Sequence, residues 1–169
     1  MRSIPDPVFA DDDGAASPVL VDALLAYDAD PDGLHDATLA VLQDQRLLVP
    51  VVAVAGETAP SGQGLRHYKT SDMATVLMRG RDGRTALLAF SCVDALHRWN
   101  PEARPVPVRA GTAASAAVSD DASAMLVDVA GPVMFVVEGE DLRALADGHT
   151  LVRLGNEVSG RFGWVRPDP

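Results

Sequence analysis

The chain has 169 residues, of which 47% are hydrophobic and 22% charged, and its formal net charge is −10 at pH 7. This composition predicts one globular domain and excludes disorder throughout, because a disordered chain lacks the apolar residues that offset the entropy of ordering. Acidic residues occur along the whole chain, so the average surface disfavours DNA, RNA and anionic lipid as partners, while a local basic patch stays open.

The cysteine content and the apolar runs indicate the compartment. Cys92 is the only cysteine, which excludes an internal disulfide. The longest apolar run, residues 47–55, is far shorter than the ~20 residues that span a bilayer. The N-terminal segment contains no apolar core of signal-peptide length. We therefore expect a cytoplasmic protein without membrane contact.

The N-terminal part predicts an acidic lead followed by two helices. Residues 1–17 contain prolines and three consecutive aspartates, which favours a disordered lead. Ser17 and Pro18 are typical of a helix start, since a hydroxyl caps the helix and proline lacks only an N–H that would be unpaired there. Asp, Pro and Gly over residues 28–33 predict the end of this helix, and apolar residues at helical spacing predict a second helix over about 34–45.

A buried strand, a loop and a β-hairpin follow. Residues 47–55 are apolar on both faces, as in a buried strand, and Pro50 within them indicates an edge position or a bulge. Residues 56–67 are rich in Gly and Pro, which predicts a long exposed loop. A hairpin is predicted at about 73–91, with its turn at Asp82–Gly83, because both residue types tolerate positive φ.

The segment after the hairpin predicts a short helix and an extended stretch. Ser91 is predicted to cap a helix that buries Leu96 and Trp99, and Pro101 stops this helix. Alternate prolines predict an extended conformation over residues 104–108, because proline forbids helix and removes ladder donors.

The C-terminal part completes a single α/β (α+β) domain over residues 18–155. Residues 112–130 are Ala-rich and predict one helix, broken near Ser119. The remaining predictions are a buried strand over 133–137, a helix over 140–146 and a strand over 150–154. Glycines and prolines predict a loose tail over 156–169, with folding back of Phe162 and Trp164 as the alternative. These elements predict a mixed sheet with the hairpin at its centre and helices flanking it.

Chemistry-bearing motifs are missing from the sequence. Its four histidines have no pair at metal-ligand spacing and no second cysteine to assist them. It contains no P-loop, no complete Gly-rich dinucleotide loop and no Gly-x-Ser-x-Gly elbow. No pair of carboxylates lies in apolar sequence, where one pKa would be raised for acid catalysis. We therefore expect no cofactor, no metal and no catalytic residue.

One stretch carries a family resemblance. Residues 90–107 combine Phe-Ser at the end of a strand, a short Ala-Leu helix, a tryptophan and an Ala-Arg-Pro-Val run. Together with residues 69–73 and the turn at 82–84, they resemble the signature of the SseB N-terminal domain family, its actinobacterial members above all. Cys92 stands where serine is expected. The resemblance spans about 69–137 and implies an α/β fold without an established enzymatic activity, since families transfer fold better than function.

Three classes of function fit these observations. The first is a non-catalytic interaction or regulatory module that binds another protein through a loop-rich face around residues 66–72 and 99–104. The second is a small-molecule sensor with its ligand at the C-terminal ends of the strands, where α/β sheets hold ligands. The third is an uncharacterised enzyme. A monomer and a homodimer both stay open.

Four residues are predicted to form the binding site of the interaction module. Lys69 is the only lysine and lies near Asp72 at the exit of the glycine-rich loop, and Arg104 stands in the proline-stiffened segment with its guanidinium free for bidentate contacts. Trp99 is predicted to be a core residue or a stacking platform. The alternative for Lys69 and Asp72 is a local ion pair.

Three arginines, Arg79, Arg81 and Arg84, cluster on the predicted hairpin. Charged residues there favour protection of a sheet edge against pairing with other chains. Contact of these arginines with an anion stays open as the alternative.

Overall fold

The computed structural model of the protein describes residues 9–51, 76–155 and 160–168. Five helices and eight strands lie along these residues. In chain order they are α1 (Pro18–Ala29), α2 (Pro31–Leu42), β1 (Arg46–Val51), β2 (Leu77–Arg79), β3 (Thr85–Ala89), α3 (Val93–Trp99), β4 (Arg104–Arg109), α4 (Ala110–Ser119), β5 (Ala124–Val127), β6 (Phe135–Glu138), α5 (Gly139–Ala146), β7 (Thr150–Leu154) and β8 (Arg161–Val165). This confirms the α+β class.

A mixed sheet of four strands forms the centre, in the order β2-β3-β5-β6. Strands β3 and β5 are parallel, and the other two pairs are antiparallel. Strands β1 and β4 form a separate antiparallel pair, joined to the end of β3 by two backbone hydrogen bonds of 2.8 Å between Leu48 and Phe90. The predicted hairpin is confirmed, and Gly83 in its turn adopts the positive φ (83°) that the turn requires.

Two hydrophobic clusters cover opposite faces of the central strands. In β3, Leu87 and Ala89 belong to the larger cluster, which also takes residues from α1, α2, α4 and α5, whereas Leu88 and the following Phe90 belong to the smaller cluster beneath α3. Because successive side chains of a strand point to opposite faces, a strand buried on both faces is apolar without alternation. This explains the continuous apolar runs in the sequence.

The second helix begins earlier than predicted. The Asp30 side chain accepts a hydrogen bond of 3.1 Å from the backbone N–H of Gly33, and Pro31 takes the first helical position. The predicted break over residues 28–33 therefore ends one helix and starts the next without an intervening loop. The helix ends at Leu42, before the predicted limit.

The predicted cap of α3 is wrong. Cys92, not Ser91, precedes the helix, and its Sγ accepts a hydrogen bond of 3.5 Å from the backbone N–H of Ala95. Ser91 is buried and bonds to Asp128 instead. The cap of α3 is therefore a weak one, because a thiol is a weak hydrogen-bond acceptor, while the Ser91 hydroxyl donates to the buried Asp128 carboxylate.

The predicted helix over residues 112–130 is also wrong in its second half. Helix α4 ends at Ser119, near the predicted break, and Ala124–Val127 form strand β5 between β3 and β6. Asp121 adopts a positive φ of 55° between the two elements. Alanine favours helix by propensity, but a short segment with apolar residues on both faces is favoured as a central strand once neighbours surround it.

Part of the predicted N-terminal lead is held against the domain. Arg46 on β1 forms an ion pair of 2.8 Å with Asp12 and donates to the carbonyl oxygen of Ala15. The backbone N–H of Val93 donates to the carbonyl of Gly14 at 2.9 Å. Residues 12–15 therefore lie beside the start of α3.

The predicted tail is not loose at residues 161–165, which form β8 and pair with β7, so the alternative in which Phe162 and Trp164 fold back is the one observed. The Trp164 ring N–H donates to Asp141 on α5 at 2.9 Å. The side-chain amide of Gln43 bonds to both backbone groups of Leu151 on β7, accepting at 2.7 Å and donating at 2.9 Å. The predicted loop over residues 56–67 lies outside the described residues.

Candidate functional site

The structure describes two of the four residues predicted to bind a partner. Arg104 begins β4, is exposed and pairs in register with Val51. Trp99 ends α3, where its ring lies 5.7 Å from the ring of Phe90 and packs against the smaller cluster. Lys69 and Asp72 lie outside the described residues, so a common face for Lys69, Asp72 and Arg104 stays a prediction.

The hairpin arginines differ in their contacts. The Arg84 guanidinium lies 2.7 Å from a carboxylate oxygen of Asp82 and 3.3 Å from one of Glu138. The hydrogen bond from the Arg84 side chain lowers the pKa of Asp82, and the same bond raises the pKa of Arg84. The charge of Arg84 is therefore balanced by two neighbouring carboxylates, which disfavours binding of an anion by this residue. Arg79 and Arg81 are exposed beside it.

The opposite end of the sheet holds a buried carboxylate. Asp128 directly follows β5, is 1% exposed and adopts a positive φ of 55°. One of its oxygens accepts the backbone N–H of Ser91 at 2.8 Å, and the other accepts the Ser91 hydroxyl at 2.6 Å. Its backbone N–H donates to Ala89 at 3.0 Å, so Asp128 ties together the carboxyl ends of the parallel strands β3 and β5.

Burial raises the pKa of the Asp128 carboxyl, and the Ser91 hydroxyl, the Ser91 N–H and the charge of Arg98 act in the opposite direction. The net effect is upward because the two hydrogen bonds only partly replace the water that the carboxylate loses. Among the residues described, Asp128 is the one ionisable side chain that is fully buried.

A cavity of about 210 Å³ opens beside Asp128. Its polar part is formed by residues at the strand ends and on α3, and its apolar part by α1 and the loop before β6. The lining residues are Ser91, Cys92, Asp94, Arg98 and Asp128 on the polar side, and Ala16, Val21, Leu24, Leu25, Pro132 and Val133 on the apolar side. The carboxyl ends of parallel strands are where α/β sheets commonly hold ligands.

Two apolar side chains form the outer rim of this cavity. Leu24 is buried beneath the rim, but Leu25 is 55% and Val21 is 39% exposed. Val21 and Leu25 are four residues apart on α1 and so lie one above the other on the helix surface. We call these two residues the α1 ridge.

Two larger depressions lie elsewhere on the surface, of about 410 Å³ around Arg109 and His149 and about 370 Å³ around Met78 and Arg84. Size alone favours them, but neither contains a buried ionisable group. The smaller cavity combines such a group with an apolar wall and a position at the parallel strand ends, which is the combination expected of a binding site.

The chemistry at the cavity favours binding over acid–base catalysis. The Ser91 hydroxyl donates directly to Asp128 with no imidazole between them, and a carboxylate alone activates a hydroxyl weakly. Arg98 donates to the carbonyl oxygen of Gly131 at 3.3 Å, across the mouth of the cavity. No group of three or more His, Cys, Asp or Glu residues able to hold a metal occurs in the described part of the chain.

Sequence reasoning missed Asp128 because residues 112–130 were predicted as helix, which places an aspartate in a helix without special meaning. The signal that identifies it is a single acidic residue within the apolar stretch 124–137, directly after a segment of strand length. An isolated carboxylate in such a stretch is buried and must find donors. Ser91 supplies them from the neighbouring strand end.

Comparison with known families gives one match. The family model described as the SseB protein N-terminal domain matches residues 20–144, which include α1, α3, the four-stranded sheet and Asp128. Neither the curated proteins nor the solved structures contain a match to this chain. Among the helices described, none has the length and apolar content needed to cross a membrane.

Proposed function

The chain belongs to the SseB N-terminal domain family, and on that premise we propose that it is a non-catalytic interaction module. Its binding face is the cavity between α1 and α3 together with the α1 ridge. The observation that carries the proposal is the exposure of Leu25 and Val21 at the rim of a cavity that has an apolar wall on the same side. Exposed apolar residues grouped around a concavity mark interaction sites more often than scattered ones do.

The energetics of the ridge support this proposal. Leaving a leucine in water forgoes about 1.5–3 kcal/mol relative to burying it fully. A partner that covers Leu25 and Val21 recovers part of this free energy, and it extends an apolar surface that already continues inward through Leu24 and Val133. The rim is also polar on its other side, through Asp94 and Arg98, as in interfaces with an apolar centre and a charged edge.

Site-specific photo-crosslinking in the native host tests this proposal. A photoreactive phenylalanine analogue is placed at position 25, and as matched control at position 154, since Leu154 on β7 is 51% exposed and far along the chain from the cavity. We expect a covalent adduct of one defined protein from position 25 only, and binding of that protein in purified form.

Equal adducts from both positions indicate contact by random collision and contradict the proposal. Absence of adducts from position 25, with the protein folded as judged by circular dichroism, contradicts it as well.

A second candidate function is small-molecule sensing in the same cavity. It is favoured by the position of the cavity at the carboxyl ends of β3 and β5 and by the hydrogen-bonding groups of Ser91 and Asp128 in its lining. Native mass spectrometry of protein purified without denaturation tests it. A bound mass that disappears in Ala16→Phe, which narrows the cavity, supports a small ligand, and a mass equal to that of the bare chain contradicts it.

A further inference from the structure

The charge of the protein is concentrated in one segment. Residues 9–45 contain nine aspartates and no lysine or arginine, so this segment holds −9 of the net charge of −10. The segment is the end of the N-terminal lead together with α1 and α2. Acidic residues occur elsewhere too, but arginines balance them there. Five of the nine aspartates belong to α1, α2 and the residue between them, namely Asp22, Asp28, Asp30, Asp32 and Asp36. Because α1 and α2 contain no lysine or arginine, these two helices carry an acidic surface.

The acidic residues surround the α1 ridge. Asp22 is adjacent to Val21, and Asp28 follows Leu25 by three residues, which places it on the same side of the helix. Both carboxylates are exposed, and so is Asp94 on the opposite rim of the cavity. The cavity lining also contains one cation, Arg98, which donates to the backbone carbonyl of Gly131 and keeps its charge, so three exposed carboxylates outnumber one guanidinium around the ridge. The α1 ridge is thus an apolar line bordered by negative charge.

We infer that the α1 ridge binds a cationic amphipathic helix of a partner protein. This inference rests on the proposed function and adds the chemistry of the partner. An apolar residue of the partner helix enters the 210 Å³ cavity, which has the volume of about seven water molecules in the liquid, enough for one large side chain. Lys or Arg residues one turn away on the partner then face Asp22, Asp28 and Asp94.

Charge disfavours the other occupants of such a face. A second copy of the chain brings another acidic layer against the first, and like charges across an interface oppose association. Nucleic acid and anionic lipid are repelled for the same reason. An acidic or uncharged helix fits the apolar line but gains nothing from the carboxylates around it.

Binding of a defined probe tests the inference. The probe is a fluorescent, acetylated helical peptide built only of Leu and Lys with one apolar face, and the matched control has Glu in place of every Lys. Binding to the full chain is followed by fluorescence anisotropy. We expect the Lys peptide to bind, the Glu peptide not to bind, and the affinity for the Lys peptide to fall between about 0.05 and 0.5 M salt, because salt screens exposed charges.

Two variants of the same helix locate the binding. Leu25→Gln is expected to lower the affinity for the Lys peptide about tenfold, since most of one buried leucine is lost. Val19→Gln is the matched control: Val19 is 52% exposed, close to the value for Leu25, but does not line the cavity. It is expected to leave the affinity unchanged. The double substitution Asp22→Asn/Asp28→Asn is expected to weaken binding severalfold at low salt and not at high salt.

The outcomes separate this inference from the proposed function. Binding of the Glu peptide that depends on Leu25 overturns the cationic partner but leaves the ridge as an interaction face. Binding of the Lys peptide that Leu25→Gln does not change, or no binding at all, overturns docking of a cationic helix on the ridge. Preferential binding to anionic over neutral phospholipid vesicles overturns the protein partner. The crosslink at position 25 decides the proposed function independently of all three results.

Discussion

The two ends of the central sheet each contain an aspartate that is hydrogen-bonded to a residue of β3 or of the segments flanking it, yet the two carboxylates have opposite environments. At the hairpin end, Asp82 is exposed, and the side chain of Arg84 lowers its pKa. At the other end, Asp128 is 1% exposed, and burial raises its pKa. The same residue type is thus stabilised as an anion by a cation in one place and destabilised by loss of water in the other.

The comparison distinguishes an exposed ion pair, which contributes little to stability, from buried hydrogen bonds, which hold two strand ends together. An exposed ion pair loses much of its attraction to solvent screening and to the ordering of both side chains. A buried carboxylate is costly, but once in place its hydrogen bonds hold the strand ends together, and removal of the acceptor leaves buried donors unpaired. The candidate binding cavity lies at the buried end of the sheet, beside Asp128.

The largest effect is expected from Asp128→Ala. The substitution leaves the backbone N–H of Ser91 without its acceptor and places alanine at a positive φ, so the free energy of unfolding is expected to fall by about 2–4 kcal/mol. Urea denaturation measures it. The control is Asp128→Asn, which keeps the shape, accepts the N–H and tolerates positive φ, and is expected to lose far less. Equal stability of the alanine variant and the natural protein contradicts the role given to Asp128.

The next effect concerns the turn at the hairpin end. Gly83 has a φ of 83°, and a Cβ there meets only the Arg79 side chain, at an ordinary contact distance of 4.0 Å, so backbone strain is the main cost of Gly83→Val. The expected loss in the free energy of unfolding is about 1–2 kcal/mol. Gly83→Asn is the control, because asparagine tolerates this conformation, and it should lose less than valine. A valine variant as stable as the natural protein would show that the turn is not needed to pair β2 with β3.

The pH dependence of stability distinguishes the two aspartates by sign. Burial raises the folded-state pKa of Asp128 above 3.8, so between these two values the folded protein binds more protons than the unfolded chain. The contribution of Asp128 is therefore most favourable below pH 3.8 and decreases as the pH rises through the folded-state pKa. The difference in unfolding free energy between the natural protein and Asp128→Asn, measured by denaturation from about pH 4 to pH 7, should decrease with pH. An increase with pH means that the carboxylate is stabilised in place.

A smaller effect is expected from Arg84→Ala, which breaks the ion pairs with Asp82 and Glu138. Since these groups are exposed, the denaturation midpoint is expected to stay the same within error, and to differ even less at high salt. Thermal denaturation at two salt concentrations measures this. A clear loss of stability would show that the two ends of the sheet are more alike than their exposure indicates.

The smallest effect on stability is expected from Lys69→Ala/Arg104→Ala, on the face first predicted from the sequence. Arg104 is exposed on β4, so its removal should leave the fold intact. The two candidate faces are compared by the partner that crosslinks to position 25. Retention of that partner by the double variant, with its loss in Leu25→Gln, assigns binding to the α1 ridge. The reverse pattern assigns it to Lys69 and Arg104.

Local sequence patterns correctly predicted the elements whose conformation depends least on residues distant in the sequence. The turn at Asp82–Gly83 and the position of the helix start at Ser17–Pro18 depend on backbone conformation, which the residues themselves determine, and both are confirmed. The predicted cap is wrong in one respect, because the Ser17 hydroxyl makes no hydrogen bond to the helix. Strand β5 was missed because its four residues, which include an alanine, fit a helix until β3 and β6 lie on both sides of it. Whether such a segment becomes a strand is decided by long-range pairing, which a single sequence does not display.

The candidate site shows the same division. Leu20 and Leu24 are four residues apart in the sequence, so helical spacing alone places them on one face of α1, and both are buried. That Leu25 stays exposed follows from what packs beside the helix, and no spacing rule contains that information. Asp128 and Ser91 are 37 residues apart in the chain and meet only because β3 and β5 are parallel neighbours.

The Gln43 side chain connects the C-terminal ribbon of β7 and β8 to the end of α2 without any strand pairing. Its amide presents a donor and an acceptor to Leu151, as the backbone of a neighbouring strand would, so this one side chain makes the two hydrogen bonds that a paired residue would make. Opening the ribbon therefore breaks no hydrogen bond of the four-stranded sheet, but it uncovers the larger hydrophobic cluster, to which Leu151 belongs and against which Phe162 and Trp164 pack. The ribbon lies beyond residues 20–144, which match the family model, so in this chain a segment outside the family match closes one side of the core that the matched residues form.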